Sequence, residues 1–398
     1  MSATEHPERL VSITGVGQSG VGRPMPLSPL KLTVDACVAA IADAGLTPAD
    51  IDGLATYPGA HNTGDGYSPI GAVETVAALG LQPKWMAASI EGHSHMGSVA
   101  MAVHAIASGA CRHVLIFRTV AQASARARVH HAGVLGGGDT EARVWGWQQW
   151  SVPFGALSTA TLFALYAQGY RDKYGLTDEQ LGAIAVNGRT MAGLNPNAVY
   201  RKPITIEDYL AGRMISTPLR IFDCDAFVDG STAIVLSRRD IAADLRQPPL
   251  DFEALALGMN PIGMGAYVGD FSHMGINDVG EAIWSKTDLR PKDMDFAQLY
   301  DGFSIHVLMW LEALQLCGPG EAASFVEGGK RIGLDGELPL NTSGGQLSAG
   351  RFHGFGHIYE ACLQLWGRAG ERQIRDAEVG IVSNGGFGVG AFVLRRRD

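Results

Sequence analysis

The chain has 398 residues, with 31 Lys and Arg against 40 Asp and Glu and a formal charge of −9 at neutral pH. That balance argues against a nucleic-acid surface, which needs clustered cations to displace counterions. A composition 46% hydrophobic and only 18% charged supports a large buried core and excludes a disordered chain.

The first residues, MSATEHPER, lack the basic-then-apolar plan of a signal peptide. Leu10 to Thr14 is apolar and β-branched and reads as a strand, followed by the turn-forming run GVGQSGVGRPMP. Ser28 before Pro29 marks a helix start, and Leu30, Val34, Cys37, Val38 and Ile41 recur at helical spacing up to Gly45. Trp85 to Ile90 reads as a strand, Gly97 to Ser108 as a helix rich in Ala and Val, and His113 to Phe117 as a further strand. Between about Val120 and Asp225 the pattern breaks, with a triple glycine at 136–138 and Trp145, Trp147 and Trp150 within six residues. An inserted loop domain is expected there. DGSTAIVLS (Asp229 to Ser237) resumes as a glycine turn and a buried strand. Strands alternating with helices of this length predict an α/β fold. No apolar run approaches the ~18 residues of a membrane span.

An internal echo organises the whole. LTPADIDGLATY (Leu46 to Tyr57) and LRPKDMDFAQLY (Leu289 to Tyr300) share Leu, Pro, both Asp residues and the final Tyr at a constant offset of 243. A second echo pairs RHVLIF (Arg112 to Phe117) with AEVGIV (Ala377 to Val382). Two copies of one α/β unit follow. The expected division is a first half at 1–119 and 226–245, the insertion at 120–225 and a second half at 246–398.

Two motifs invite other chemistries. GVGQSG (Gly15 to Gly20) satisfies the dinucleotide fingerprint, but Pro24, Pro26 and Pro29 delay the helix whose N-terminus should face the pyrophosphate. GHSHMG (Gly92 to Gly97) approaches the nucleophile elbow of α/β-hydrolases with one residue too many, which keeps a serine hydrolase using Ser94 as a rival. The five cysteines are odd in number, far apart and never in a CxxC pair, so neither a disulfide framework nor a zinc site is expected, and a reducing cytoplasm suits them. His130-His131 is not a metal pair on its spacing, and no metal is expected.

The region of the elbow fits another pattern better. S-H-M-G-S-V-A (Ser94 to Ala100) resembles the C-x-S/T-G-S-x-A segment of the thiolase superfamily, with serine in place of the nucleophilic cysteine. AGLTPADIDGL resembles the N-terminal part of sterol-carrier-protein-type thiolases, and DGSTAIVLS their S-D-G-A-A-A-x-x-L segment. YDGFS (Tyr300 to Ser304) stands where they have H-D-C-F or N-E-A-F. NTSGGQLSAGRFHG (Asn341 to Gly354) resembles N-P-S-G-G-x-x-x-x-G-H-P-x-G, and SNGGFGVGAFVL (Ser383 to Leu394) their terminal glycine-rich strand pair. The resemblance implies the thiolase fold, two duplicated α/β halves in a five-layer αβαβα arrangement with an inserted loop domain.

The catalytic positions depart from the thiolases. Ser94 replaces the nucleophile, Val382, Ser383 and Asn384 occupy the stretch of the second cysteine, and Arg351 replaces the histidine of G-H-P. The lipid-transfer-protein-type aldolases of steroid side-chain degradation fit these departures, lacking the nucleophile and carrying a Y-D-x-F motif, as at Tyr300 to Phe303. Their second tyrosine, in G-Y-x-H-G, is Arg351 here, while His353 is retained. The resemblance implies a carbon–carbon lyase that cleaves a β-hydroxyacyl-CoA to a ketone or aldehyde and a shorter acyl-CoA. Coenzyme A is part of the substrate, and no tightly bound cofactor is expected. It further implies a homodimer built across the first half's sheet and a heterotetramer with a small OB-fold acyl-CoA-binding partner. A thiolase-type acyltransferase and a non-catalytic acyl-CoA-binding subunit are the alternatives.

Retro-aldol cleavage needs a base for the substrate hydroxyl and a holder for the enolate. Tyr300 is the base by position, but a free phenol titrates near about 10 and must be lowered by about three units. Arg351 would supply part of that shift by favouring the phenolate. His353 is the competing base, because imidazole titrates near about 6.5 unperturbed. The expected site pairs Tyr300 and His353 as acid and base, with Arg351 tuning them or gripping substrate. Asn384 and the amides of the Gly385-Gly386 turn form the oxyanion site. Ser94, His95 and Asp301 complete the substrate contacts, Asp301 having the alternative of bonding turn amides. Arg126, Arg128, Arg143 and the tryptophans at 145–150 suit the phosphates and adenine of an acyl-CoA or, more readily, a protein interface.

Overall fold

The computed structural model describes residues 6–60, 65–88, 94–128, 149, 152–156, 158–259, 274–385 and 388–397, with Ser94 and Arg128 described by backbone alone. The expectations placed on the Ser94 side chain, His130, His131, Arg143, Trp145, Trp147, Trp150 and Gly386 lie outside the described residues.

The first half runs through β1 (Val11–Gln18), α1 (Pro29–Asp43), β2 (Gly53–Thr56), α2 (Ala72–Leu79), β3 (Trp85–Ala88), α3 (Ser94–Ala107) and β4 (His113–Ala121). Its helix start is built as the dipeptide predicts, the Ser28 hydroxyl accepting from the Lys31 amide at 3.2 Å. The glycines of GVGQSG belong to strand and packing. A Cβ at Gly15 would lie 2.5 Å from the Ala40 carbonyl oxygen, and one at Gly17 2.2 Å from that of Ala36. They let α1 settle directly on β1. Helix α3 begins at Ser94, three residues before the Gly97 start expected from the alanine-rich run, and β4 continues to Ala121.

The inserted segment contributes α4 (Gln122–Arg128), α5 (Thr159–Tyr174), α6 (Asp178–Gly193), α7 (Ile206–Leu210) and the hairpin of β5 (Met214–Ser216) and β6 (Leu219–Arg220). Its helices bury Phe163, Tyr166, Tyr170, Leu181 and Ile184 in one apolar cluster with Leu308, Trp310 and Phe325 of the second half. The chain returns through β7 (Asp229–Arg238) and α8 (Arg239–Ala242). The second half follows as β8 (Leu250–Met259), α9 (Gly275–Ser285), β9 (Phe296–Gln298), α10 (Ser304–Ala313), α11 (Ala322–Val326), α12 (Gly345–Ser348), α13 (Phe355–Leu365), β10 (Val379–Asn384) and β11 (Gly388–Arg396).

Strand order makes the duplication explicit. Nine strands run β3-β2-β4-β7-β1-β8-β11-β10-β9, and β1 meets β8 only at Ser12 with Asp251 and Ile13 with Leu250. Outward from that junction each half repeats the same pattern. β1 pairs antiparallel with β7, β7 antiparallel with β4, and β4 parallel with β2; β8, β11, β10 and β9 do likewise. Beyond β9, Leu340 bridges Ala297 in parallel, in the place that β3 holds beside β2.

The layers follow from what each helix buries. α3 and α13 share one core with strands of both halves, while α1 packs with β2, β4 and β7 and α9 and α10 with the second half's strands. The order is helix, sheet, helices, sheet, helix. One expectation shifts: Gly53 pairs with Val114 and Phe296 with Gly380, so the second echo is offset by 266, one more than the sequence pairing. Strands buried on both faces have no polar alternation to fix their register. Among the described residues no helix is long and apolar enough to cross a membrane, and all five cysteines are free thiols.

Candidate active site

The parallel strands of both halves end at one place, where ligands gather in α/β sheets. Tyr57 follows β2 and Tyr300 follows β9, and the register makes Arg118 of β4 the counterpart of Asn384 of β10. His95 enters from the first turn of α3, and His353-Gly354 leads into α13.

His353 is the centre of this cluster. It is buried and adopts φ 54°, a left-handed conformation that costs a non-glycine residue of order 1–3 kcal/mol and persists only where its surroundings impose it. Arg351 Nε–H donates to its Nε2 at 2.9 Å, and Arg118 Nη2 lies 3.0 Å from its Nδ1. Tyr67 meets the ring edge-on at 4.6 Å, and His95 stacks on it at 5.9 Å. Burial first, then Arg351, Arg118 and His95, hold its pKa well below the ordinary imidazole value. These surroundings favour the neutral ring and weaken His353 as the competing base, because its protonation would put a third cation between two guanidiniums. His95 is also kept neutral, by burial and by Arg118.

Tyr300 is corrected in the same sense. Burial raises its phenol above the ordinary value, outweighing the downward pull of Arg351, and Asp225 adds to the rise. This works against the phenolate expected from an arginine neighbour, because desolvation outweighs one cation partly neutralised by its own carboxylate. Arg351 Nε lies 3.1 Å from Asp225 Oδ2, and its guanidinium stands over the Phe227 ring, which Arg126 stacks on at 3.8 Å. Burial works against the charge of Arg351, but Asp225 and then Tyr300 raise its pKa overall. Burial pushes Asp225 up to about 6 against the pull of Arg351. Behind Tyr300, His306 takes the Phe303 amide on Nδ1 at 3.1 Å and meets the tyrosine ring edge-on at 5.3 Å. Burial lowers His306 to about 4.

Asp301 is not free to grip substrate. Its Oδ1 accepts from the Gln346 amide at 2.8 Å and lies 2.9 Å from His357 Nε2, and its Oδ2 takes the Leu347 amide at 3.4 Å. It caps α12, as the alternative reading had it, and the expected substrate contact is corrected accordingly. Asn341 serves the frame as well, exchanging side-chain bonds with the Leu299 amide at 2.7 Å and carbonyl at 2.9 Å.

Asn384 contrasts with both. It is fully buried, and neither its Nδ2 nor its Oδ1 has a hydrogen-bond partner among the described residues. An unpaired buried amide costs about 1–3 kcal/mol unless something accepts from it. Gly354 makes the room: a Cβ there would lie 2.4 Å from Asn384 Oδ1, and its φ of 97° excludes most other residues. Gly385, with φ 88°, turns the chain immediately after.

Sequence reasoning missed Arg118, Asp225, Tyr67 and His306. Arg118 carried a signal, a lone cation inside the apolar run VLIFRTV; Asp225, Tyr67 and His306 carried none. A cavity of about 280 Å³ lined by Gln18, Asn195, Tyr359 and Arg368 reaches Gln346 and Phe352 from behind, but Tyr300, His353 and Asn384 are not among its lining residues.

Comparison with known proteins agrees with this picture. Residues 266–394 match the family described as thiolase C-terminal domain-like. The chain is 34% identical over 369 residues to the 17-hydroxy-3-oxo-4-pregnene-20-carboxyl-CoA lyase of Mycobacterium tuberculosis, covering 89% of this chain and 91% of that one. It is 34% identical over 368 residues to the steroid side-chain-cleaving aldolase of Thermomonospora curvata, covering 88% of each. The solved structure of the Ltp2-ChsH2(DUF35) aldolase superposes with a TM-score of 0.85 at 31% identity, over 97% of this chain and 98% of that one.

Proposed function

The chain belongs to the thiolase superfamily and is a carbon–carbon lyase of its aldolase branch, and on that premise we propose that its β-hydroxyacyl-CoA substrate carries a steroid-like acyl portion. The names of the two curated relatives carry the substrate class. The observation that carries the chemistry is the pairing of Tyr300 and the Arg351–Asp225 pair with the unpartnered amide of Asn384, at a site that has Ser94 where thiolases hold a nucleophilic thiolate.

In the reaction, the substrate hydroxyl loses its proton and the oxygen's electrons form the new carbonyl. The carbon–carbon bond breaks, its electron pair passing to the thioester oxygen as an enolate, which is then protonated at carbon. Asp225, ionised above about 6, is the terminal proton acceptor. Tyr300, a neutral phenol, contacts the substrate hydroxyl and holds the proton in transit. Asn384 Nδ2 receives the enolate oxygen, where donors aimed at developing charge contribute most. His95, stacked on His353, is a further substrate contact. His353 serves as a neutral hydrogen-bonding residue beside Arg351.

The acting unit in this reading is a homodimer joined to a small OB-fold acyl-CoA-binding subunit, in keeping with a structural relative whose name pairs two components. The chain divides at 1–119 with 226–245, 120–225 and 246–398. No carrier beyond the substrate's coenzyme A takes part, and five free thiols suit a reducing cytoplasm.

The test is incubation with 17-hydroxy-3-oxo-4-pregnene-20-carboxyl-CoA and mass-spectrometric product analysis, with and without a partner subunit. The expected products are a steroid ketone and a shorter acyl-CoA in equal amounts. Release of the intact acid and free coenzyme A would instead mean hydrolysis.

A further inference from the structure

Retro-aldol cleavage moves two protons. Tyr300 and Asp225 take the one on the substrate hydroxyl, and a second acid must deliver the other to the enolate carbon. Asp301 is committed to the amides of α12, and Asn384 offers only amide protons. The first half brings two further phenols to the site, Tyr57 and Tyr67.

Backbone contacts fix Tyr67 on both sides. Its amide donates to Asp65 Oδ1 at 2.8 Å, and its carbonyl accepts from Arg118 Nη2 at 2.7 Å. Gly66 before it adopts φ 70° and accepts from the Ala121 amide at 2.8 Å, so closely that a Cβ would lie 2.2 Å from the Ala121 carbonyl oxygen. The half-buried ring of Tyr67 then meets His353 edge-on at 4.6 Å, with the Arg118 guanidinium 4.7 Å from its centre. Tyr57 instead turns its ring to His95 at 5.0 Å and hydrogen-bonds through its side chain with Tyr67.

Arg118 has no exposed surface, and its Nε has no hydrogen-bond partner among the described residues. A buried cation is costly unless an anion meets it. Burial lowers its pKa to about 10, and Tyr67 is the strongest influence in the other direction, ahead of Tyr57. Burial also works against the charge of Arg351, and Asp225, Tyr300 and then Tyr67 oppose it. A negative charge on the Tyr67 oxygen would stand in the field of both guanidiniums.

We propose that Tyr67 is the catalytic residue of the second proton transfer, its O–H donating to the enolate carbon. The enolate's carbon–carbon π pair forms the new C–H bond, the thioester carbonyl is restored, and the O–H pair stays on Tyr67 as a phenolate beside Arg118 and Arg351. Solvent returns a proton to the half-buried phenolate and takes the hydroxyl proton from Asp225, so the cycle closes without net gain or loss. The inference rests on the enolate chemistry above.

In the steroid thioester named above the enolate carbon bears a methyl group, so the shorter acyl-CoA is propionyl-CoA. The oxygen that delivers a proton in cleavage removes it in reverse, and propionyl-CoA in deuterium oxide, without steroid, therefore tests the transfer separately from cleavage. Mass spectrometry is expected to show uptake of one deuterium with the unaltered chain, with Tyr300→Phe and with Tyr57→Phe. Tyr67→Phe should slow that uptake by at least about 10²-fold. No uptake with the unaltered chain, undiminished uptake with Tyr67→Phe, or loss with Tyr300→Phe would each overturn the proposal. Failure to cleave the steroid thioester would count against the substrate reading, while the exchange still decides Tyr67. Replacing Tyr67 by 3,5-difluorotyrosine keeps the ring and makes the phenol more acidic. It should move the pH profile of the exchange down by about one unit or more. A profile that stays in place would mean that Tyr67 only supports the site, and would overturn its role.

Discussion

The two halves share one frame and differ in what they mount on it. Asp52 accepts the amides of Arg112 and His113 at 2.8 and 2.9 Å; in the other half Asp295 accepts those of Glu378 and Val379 at 2.8 and 2.9 Å. Each aspartate ties the start of a parallel strand to the turn before its neighbour. At the far ends of the same strands the likeness stops. The first half ends in Tyr57 and the anchored cation Arg118, and the second in Tyr300 and the unpartnered amide Asn384. Duplication supplies a scaffold with near-equal ends, and the chemistry comes from breaking that equality. Charge is committed on one side, and an uncommitted donor stands on the other.

The comparison breaks most sharply at the tyrosines. Tyr300→Phe is expected to lower kcat by roughly 10²- to 10⁴-fold, the usual contribution of a proton-transferring side chain, whereas Tyr57→Phe should cost less than about tenfold. Equal losses would mean that the two ends act as one unit. Asn384→Ala should lower kcat by about 10²- to 10³-fold with little change in stability, since the amide has no hydrogen-bond partner to lose among the described residues. Wild-type activity should fall about tenfold per unit as pH drops below about 6, where the carboxyl of Asp225 becomes protonated. In Asp225→Asn that limb should vanish from a weak, flat profile. A limb that persists unchanged would place the base elsewhere. The smallest effects test the sameness of the halves. Asp52→Ala and Asp295→Ala should each cost about 1–3 kcal/mol in denaturant unfolding, since a single oxygen of each aspartate accepts two amides that would lose it. Neither should change kcat.

Much of this frame is legible in the sequence because backbone requirements leave marks on residue type. The Leu46 to Tyr57 echo of Leu289 to Tyr300 carries the two aspartates, both strand starts and both tyrosines in one alignment. The glycine beside Asn384 and the asparagine that pairs with Leu299 stand inside motifs that resemblance identifies. Ionisation is not legible in the same way. Arg351 beside Tyr300 suggests a phenolate from sequence, and only burial shows that desolvation prevails. His353 suggests a base until a second guanidinium, 235 positions away in the chain, arrives on its other nitrogen. The carboxylate Asp225 lies in a run with no periodicity to mark it, and its closeness to Arg351 is a product of tertiary folding alone.

The central claim is that this thiolase frame cleaves carbon–carbon bonds without a covalent acyl carrier. Turnover of one β-hydroxyacyl-CoA by Ser94→Ala and by Tyr300→Phe, with intact-protein mass spectra recorded during the steady state, tests it most directly. The account predicts that Ser94→Ala retains cleavage, that Tyr300→Phe loses it, and that no acyl-enzyme accumulates. An acyl adduct on Ser94, with activity abolished by Ser94→Ala and retained by Tyr300→Phe, would contradict it.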